Sequence, residues 1–228
     1  MIVNTTIVFW FELGNWDQCT RAADEFLAES AALGPSYRDA DVLACRCWMR
    51  LARGDAEAAL DDQALLLASA RQAKDPQVLL PALSVSAYVL AAAGHTDDAR
   101  RLLGELFRPR QANTSMVMNL VTDCVLAAEA LGCQDQARRW LQIQPELAWF
   151  AAARVLADQE FVQAAESFEA MGAVRSAALA RLRAAQELAK TGRPAEASHQ
   201  LGHALGFFRS VGATRFISVG QALHAASA

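Results

Sequence analysis

The sequence predicts an all-α chain, a right-handed superhelical solenoid of about six helical hairpins followed by a terminal helix, and three observations carry that expectation. Alanine fills 49 of the 228 positions, a composition that favours helix over sheet. A string Gly-x-x-x-x-small recurs from Gly14 to Cys19, Gly54 to Ala59, Gly94 to Ala99, Gly132 to Ala137 and Gly192 to Ala197, with a glycine-free copy from Gln159 to Ala164. Its starts lie 40, 40, 38, 27 and 33 residues apart, the spacing of one supersecondary unit repeated along a chain. Apolar residues at helical spacing precede each copy, as Leu43, Cys47 and Leu51 precede Gly54, and a second such stretch follows.

The first hairpin is expected over 4–13 and 15–33, the second over 37–53 and 55–73, the third over 77–93 and 97–107. The remaining three fall at 114–131 with 134–142, 146–157 with 160–171, and 174–191 with 194–211, before a last helix at 214–226. Each turn glycine stops a helix at positive φ, where a side chain would be strained. The small residue five positions on sits in the first turn of the next helix, where a larger one would hold the pair apart. Asp55, Thr96 with Asp97 and Asp98, and Pro194 are helix-start residues, supplying caps, acidic first turns and a pre-set φ. Gly34-Pro35, Asp75-Pro76, Arg108-Pro109 and Gln144-Pro145 separate the hairpins, because the residue before proline avoids the helical region. Pro81 is expected in the first turn of its helix, where the missing N–H is harmless. A lone hairpin cannot cover its apolar faces, so the units must stack into one domain over 1–228. The short interval between 132 and 159 reads as a bend rather than a domain boundary.

Composition narrows the function classes. A net charge of -4 and a pI near 5.6 offer no basic field for phosphate backbones, so nucleic acid is not an expected direct partner. No apolar run approaches the roughly 18 residues that cross a bilayer, and no basic residue precedes Arg21 to open a secretory signal. A cytoplasmic protein with no membrane contact is the expectation. Cys19, Cys45, Cys47, Cys124 and Cys133 are odd in number with no Cys-x-x-Cys, which suits small buried hydrophobes better than disulfides or zinc.

The Gly-x-x-x-x-Ala turn between two helices resembles the tetratricopeptide repeat, although the longer intervals exceed its usual length of about 34 residues and its consensus Trp and Tyr are mostly absent. The likeness is therefore to a TPR-like class. The strings AAESFEAMGA, ALARLRAAQELAKTGRPAEAS and ALGFFRSVGATRF resemble the C-terminal helical-repeat region of bacterial, especially actinobacterial, signal-transducing ATPase regulators. The resemblance spans roughly residues 37–226. It implies an array that serves as sensor or docking platform beside an effector such as a LuxR-type domain or a nucleotide cyclase. This chain carries no Gly-x-x-x-x-Gly-Lys-Ser/Thr nucleotide loop and no basic DNA-binding helix pair.

No Gly-x-Ser-x-Gly elbow is present, and no histidine stands near a plausible nucleophile in sequence, so no enzymatic activity and no cofactor are expected. Glu196, His199 and His203 share a helix face but lack further ligands nearby, and no metal site is assigned to them. Arg46, Arg50 and Arg53 form a basic stripe that is more simply solvated or paired than functional. The groove lined by the first helices is the expected site. Aligning hairpins on their turn glycines places Asp41 and Trp48 on one, Ser84 and Tyr88 on the next, Asn119 and Thr122 on the third, and Trp149 on the fourth. Aromatic anchors among small polar groups suit an apolar or amphipathic partner. The carboxylate clamp of some tetratricopeptide domains would fall at Ala44, Trp48, Val85, Asn119 and Asp123, of which only Asn119 could serve. The expected function is non-catalytic docking of a protein or peptide partner, with small-molecule sensing as the alternative. Ile7, Val8, Phe9 and Trp10 in the first hairpin form an uncapped apolar face, to be covered by upstream residues or by a second copy of the chain.

Overall fold

The computed structural model describes residues 2–34, 36–108 and 120–226. Among them the chain is all-helical, with thirteen helices and no strand. The elements are α1 (Ile2–Glu12), α2 (Trp16–Leu33), α3 (Asp39–Ala52), α4 (Ala56–Ala73), α5 (Pro76–Ala92), α6 (Thr96–Leu106) and α7 (Val121–Ala130). They continue as α8 (Gln134–Gln142), α9 (Ala148–Ala157), α10 (Phe161–Ala170), α11 (Val174–Lys190), α12 (Pro194–Ser210) and α13 (Thr214–Ala226). No helix among the described residues is long and apolar enough to cross a membrane.

One hydrogen-bonded turn is used eight times. At Gly14, Gly54, Gly94, Gly132, Gln159, Gly172, Gly192 and Gly212 the backbone has positive φ, between +67° and +89°. The residue after each donates its N–H five positions back: Asp55 to Arg50 O at 2.9 Å, Arg193 to Leu188 O at 2.9 Å, Ala213 to Phe208 O at 2.8 Å. The turn residue itself donates three positions back, as Gly54 does to Leu51 O. Together these bonds define a Schellman motif, which satisfies carbonyls that the helix end leaves open. Six of these turns coincide with the recurring string, including the glycine-free copy at Gln159. Gly172 and Gly212 are additional, because they join one hairpin to the next rather than the two helices within one. The small residues do lie at helix contacts: Cys19, Ala59, Ala99, Ala137 and Ala164 are buried, and Cys47 Sγ on α3 reaches Ala59 O on α4 at 3.1 Å.

Helix starts follow their local chemistry. Asp55 Oδ1 accepts from Ala58 N at 3.1 Å and Asp75 Oδ1 from Gln77 N at 2.8 Å, each satisfying an orphan donor of the first turn. Because α5 begins at Pro76, Pro81 lies in the second turn and not the first. There it withholds the N–H that the Gln77 carbonyl would otherwise accept. The helix expected from 114 is described only as α7, since 109–119 lie outside the described residues.

Successive odd helices α1, α3, α5, α7 and α9 lie side by side, with their even partners outside. The last helices do not extend the row. Instead α11 lies along α7, and α13 returns to α3 and α5. Thr214 Oγ1 donates to Arg53 O at 2.6 Å, Arg215 Nη2 to Ala92 O at 2.8 Å, and the Phe216 ring stacks on Trp48 at 5.6 Å. The face along the first helices is thereby filled by the chain's own C-terminal helices, burying one continuous core. At the N-terminus Ile7 and Phe11 are buried beneath α2 and α3, and of the expected apolar face Phe9 alone is strongly exposed, at 60 %.

Candidate functional site

The interior is organised around a charged node. Arg175, the second residue of α11, is fully buried. Its guanidinium lies 4.9 Å from the ring centres of both Phe11 and Trp48. Nη1 donates to Asp123 Oδ1 at 2.9 Å, and Glu12 lies 3.4 Å from Nε. Trp48 Nε1 donates to the same Asp123 oxygen at 3.0 Å. Burial pushes the Asp123 carboxyl up, against the pull of Arg175 and Trp48. For Arg175 burial acts to lower the pKa, but Asp123 and Glu12 reverse that effect and hold it cationic. The node ties α1, α3, α7 and α11 together. A second link is made where Thr122 Oγ1 donates to Ser176 Oγ at 2.9 Å.

This arrangement places the expected groove residues as follows. Trp48, Ser84 and Thr122 are interior side chains; Ser84 Oγ donates to Leu120 O at 2.6 Å. Tyr88 stacks on Trp48, with centroids 6.1 Å apart, and remains partly open on its other side. Asp41 pairs with Arg38 at 3.1 Å near the start of α3, and Trp149 packs against Phe168 of α10. Neither joins the other residues, and Asn119 lies outside the described residues. The alignment on turn glycines orders the first helices correctly along the row. It carries no information on what returns to cover them.

The basic stripe is paired. Arg46 bonds Asp62 and Asp24, Arg50 lies 3.0 Å from Asp62, and Arg53 bonds Asp17. His199 and His203 meet edge to face with centroids 4.8 Å apart. No group of three metal-ligating side chains is assembled among the described residues. Desolvation raises the thiol pKa of Cys19 and Cys124 to about 12, and pushes Cys45 and Cys47 up as well.

A cleft of about 550 Å³ opens where α5, α7, α11 and α13 converge. Leu126, Leu179, Leu182 and Phe216 supply apolar walls, with Tyr88 among them. Four charged side chains line it: Glu129, Arg183, Lys190 and Arg215. Arg183 clamps Glu129 with both ends of its fork, Nε to Oε2 at 2.9 Å, and also bonds Gln186. Lys190 is exposed at the rim, 3.4 Å from Glu187. Among the described residues the Arg215 guanidinium bonds only the neutral Ala92 carbonyl, and the Tyr88 hydroxyl makes no hydrogen bond. Burial raises the Tyr88 pKa, keeping the hydroxyl protonated as a donor.

Of this lining the sequence reading named Tyr88 alone. A signal for Arg215 does exist: Gly172-Ala-Val-Arg175 and Gly212-Ala-Thr-Arg215 repeat one pattern, and both arginines turn inward from the first turn of α11 and α13. No family model, curated protein or solved structure matches the chain.

Proposed function

We propose that this chain is a non-catalytic, TPR-like helical-repeat module that binds a small molecule in the cleft between α5, α7, α11 and α13 and relays occupancy to a linked effector. The observation that carries the reading is the cleft itself. Its volume lies in the range of ligand pockets, and its apolar walls surround a few convergent polar groups. The cleft also joins the middle of the helix row to the C-terminal helices packed across it. A ligand touching α5, α7, α11 and α13 together stabilises the returned arrangement over any opened one, which is the differential contact a sensor requires. The resemblance to the arrays of bacterial signalling regulators supports the regulatory and cytoplasmic context. Docking of a partner helix along the first helices has less support, because Trp48, Ser84 and Thr122 are already covered by α11 and α13.

Thermal unfolding of the intact chain across a panel of metabolites and apolar small molecules tests the proposal. A ligand present at 100 times its Kd adds about 2.7 kcal/mol of stability, a rise of roughly 5–10 °C for a chain of this size. Leu182→Trp, which fills the cleft, is expected to abolish the rise. A rise that survives this substitution would refute the assignment of the site.

A further inference from the structure

Resting on the cleft as the binding site, we infer that its ligand is a monoanionic amphiphile, a small molecule with one carboxylate-like head and an alkyl or aromatic body. The balance of charge sets the head group. Arg183 is neutralised by the two-pronged clamp on Glu129, and Lys190 lines the rim in a pair with Glu187. That leaves Arg215 as the single inner cation with no carboxylate partner among the described residues, its one bond going to a peptide carbonyl. A planar guanidinium with free donors matches a planar oxyanion, and the Tyr88 hydroxyl, also on the cleft wall, adds a second donor. One surplus positive charge selects one negative charge. A second would face the Glu129 carboxylate, so nucleoside polyphosphates and dicarboxylates fit poorly. The body follows from Leu126, Leu179, Leu182 and Phe216, which supply apolar walls for an alkyl chain or ring, while Gln134 and Gln186 add amide groups to the lining. Spare donors on Arg215 and Tyr88 along the wall of one cleft favour a ligand with an acceptor head.

The probes are decanoate, decanamide and decyltrimethylammonium, which share one alkyl length and differ in head charge, titrated calorimetrically into the intact chain below their micellar concentrations. Decanoate is expected to bind at least about tenfold tighter than either of the others, the scale of one charge-assisted hydrogen bond. Arg215→Met should reduce decanoate affinity toward that of the amide, and Tyr88→Phe should weaken decanoate and the amide alike, since either head accepts from the hydroxyl, while leaving the ammonium probe unchanged. Because Arg215 also tethers α13 to Ala92, the comparison of head groups on the unsubstituted chain stands independently of how that variant folds. Equal binding of all three heads would overturn the anion assignment and leave the cleft reading intact. Failure of every probe to bind would overturn the monoanionic amphiphile, and the metabolite panel with Leu182→Trp would then decide the cleft reading separately. Tighter binding of ATP than of decanoate would replace the monoanion with a polyanion, and effective competition by an apolar peptide with a free C-terminus would move the carboxylate to a protein.

Discussion

Removing the cation at the centre of the core is the sharpest test of how the helices are held together. In Arg175→Met a side chain of comparable length fills much of the space. Asp123 then keeps only the Trp48 N–H as a donor, and two aromatic faces lose their guanidinium. Breaking one partner out of a buried pair costs about 3–5 kcal/mol, and desolvated cation-π contacts are worth about 2 kcal/mol each, largely overlapping with that figure. A net loss near ~4 kcal/mol is expected, a drop in Tm of roughly 8–16 °C. Urea unfolding followed by far-UV circular dichroism measures it. Adding Asp123→Asn, which removes the stranded charge and keeps an acceptor for Trp48, should recover about 2 kcal/mol. The sign with pH follows from the raised Asp123 pKa. An acid raised in the fold carries no penalty below its unfolded pKa and the full penalty above its folded one. The deficit of Arg175→Met should therefore shrink on acidification and grow toward neutral pH. A loss below about 1 kcal/mol, or a double variant less stable than the single one, would refute the description of the node as a pair that supports its neighbours.

Three further outcomes are expected. Gln159→Gly relieves a side chain held at φ +67° and should stabilise the chain by up to about 1 kcal/mol, read as a rise in Tm; a fall would contradict the strain argument. Thiol labelling of the native chain at pH 8 should modify Cys133 quickly and the other four only on unfolding, since those four are buried with raised pKa values. The Arg181 hydrogen bonds lower the Glu169 pKa from its ordinary 4.5, so its stabilisation is present above that value and disappears as pH falls through the folded one. Glu169→Gln should thus cost at most about 1 kcal/mol at neutral pH, the pair being partly solvated, and nothing in strong acid, as compared by chemical denaturation at both pH values.

The parts of this fold legible in the sequence are the local ones. A Schellman turn is written in six consecutive residues, so Gly54 and Gly192, and even Gln159, could be placed from spacing alone, and the helices between them followed. The return of α13 is not local. Nothing near Trp48 announces that Phe216 will cover it, and helical periodicity marks the tryptophan as inward-facing without distinguishing a groove from a core. Arg175 misleads in a second way, because an arginine reads as surface until its partner Asp123, 52 residues away, is known. The cleft residues share that difficulty, since Tyr88, Glu129, Arg183 and Arg215 sit on four separate helices. The arginine stripe at α3 is the opposite case, as its acidic partners lie on α2 and α4, the helices next to it in sequence.

A linear stack of repeats couples only nearest neighbours, so it melts inward from its ends and can tolerate loss of a terminal unit. Here Thr214 grips Arg53 across 161 residues of chain, and the last helix acts as a clasp on the first ones. With α3 and α13 held in that contact, denaturation should be concerted across α3 to α13, and amide exchange in α3 and α13 should slow together. Refolding has to wait for α13 to find α3, a search whose loop-closure entropy an unclasped stack never meets.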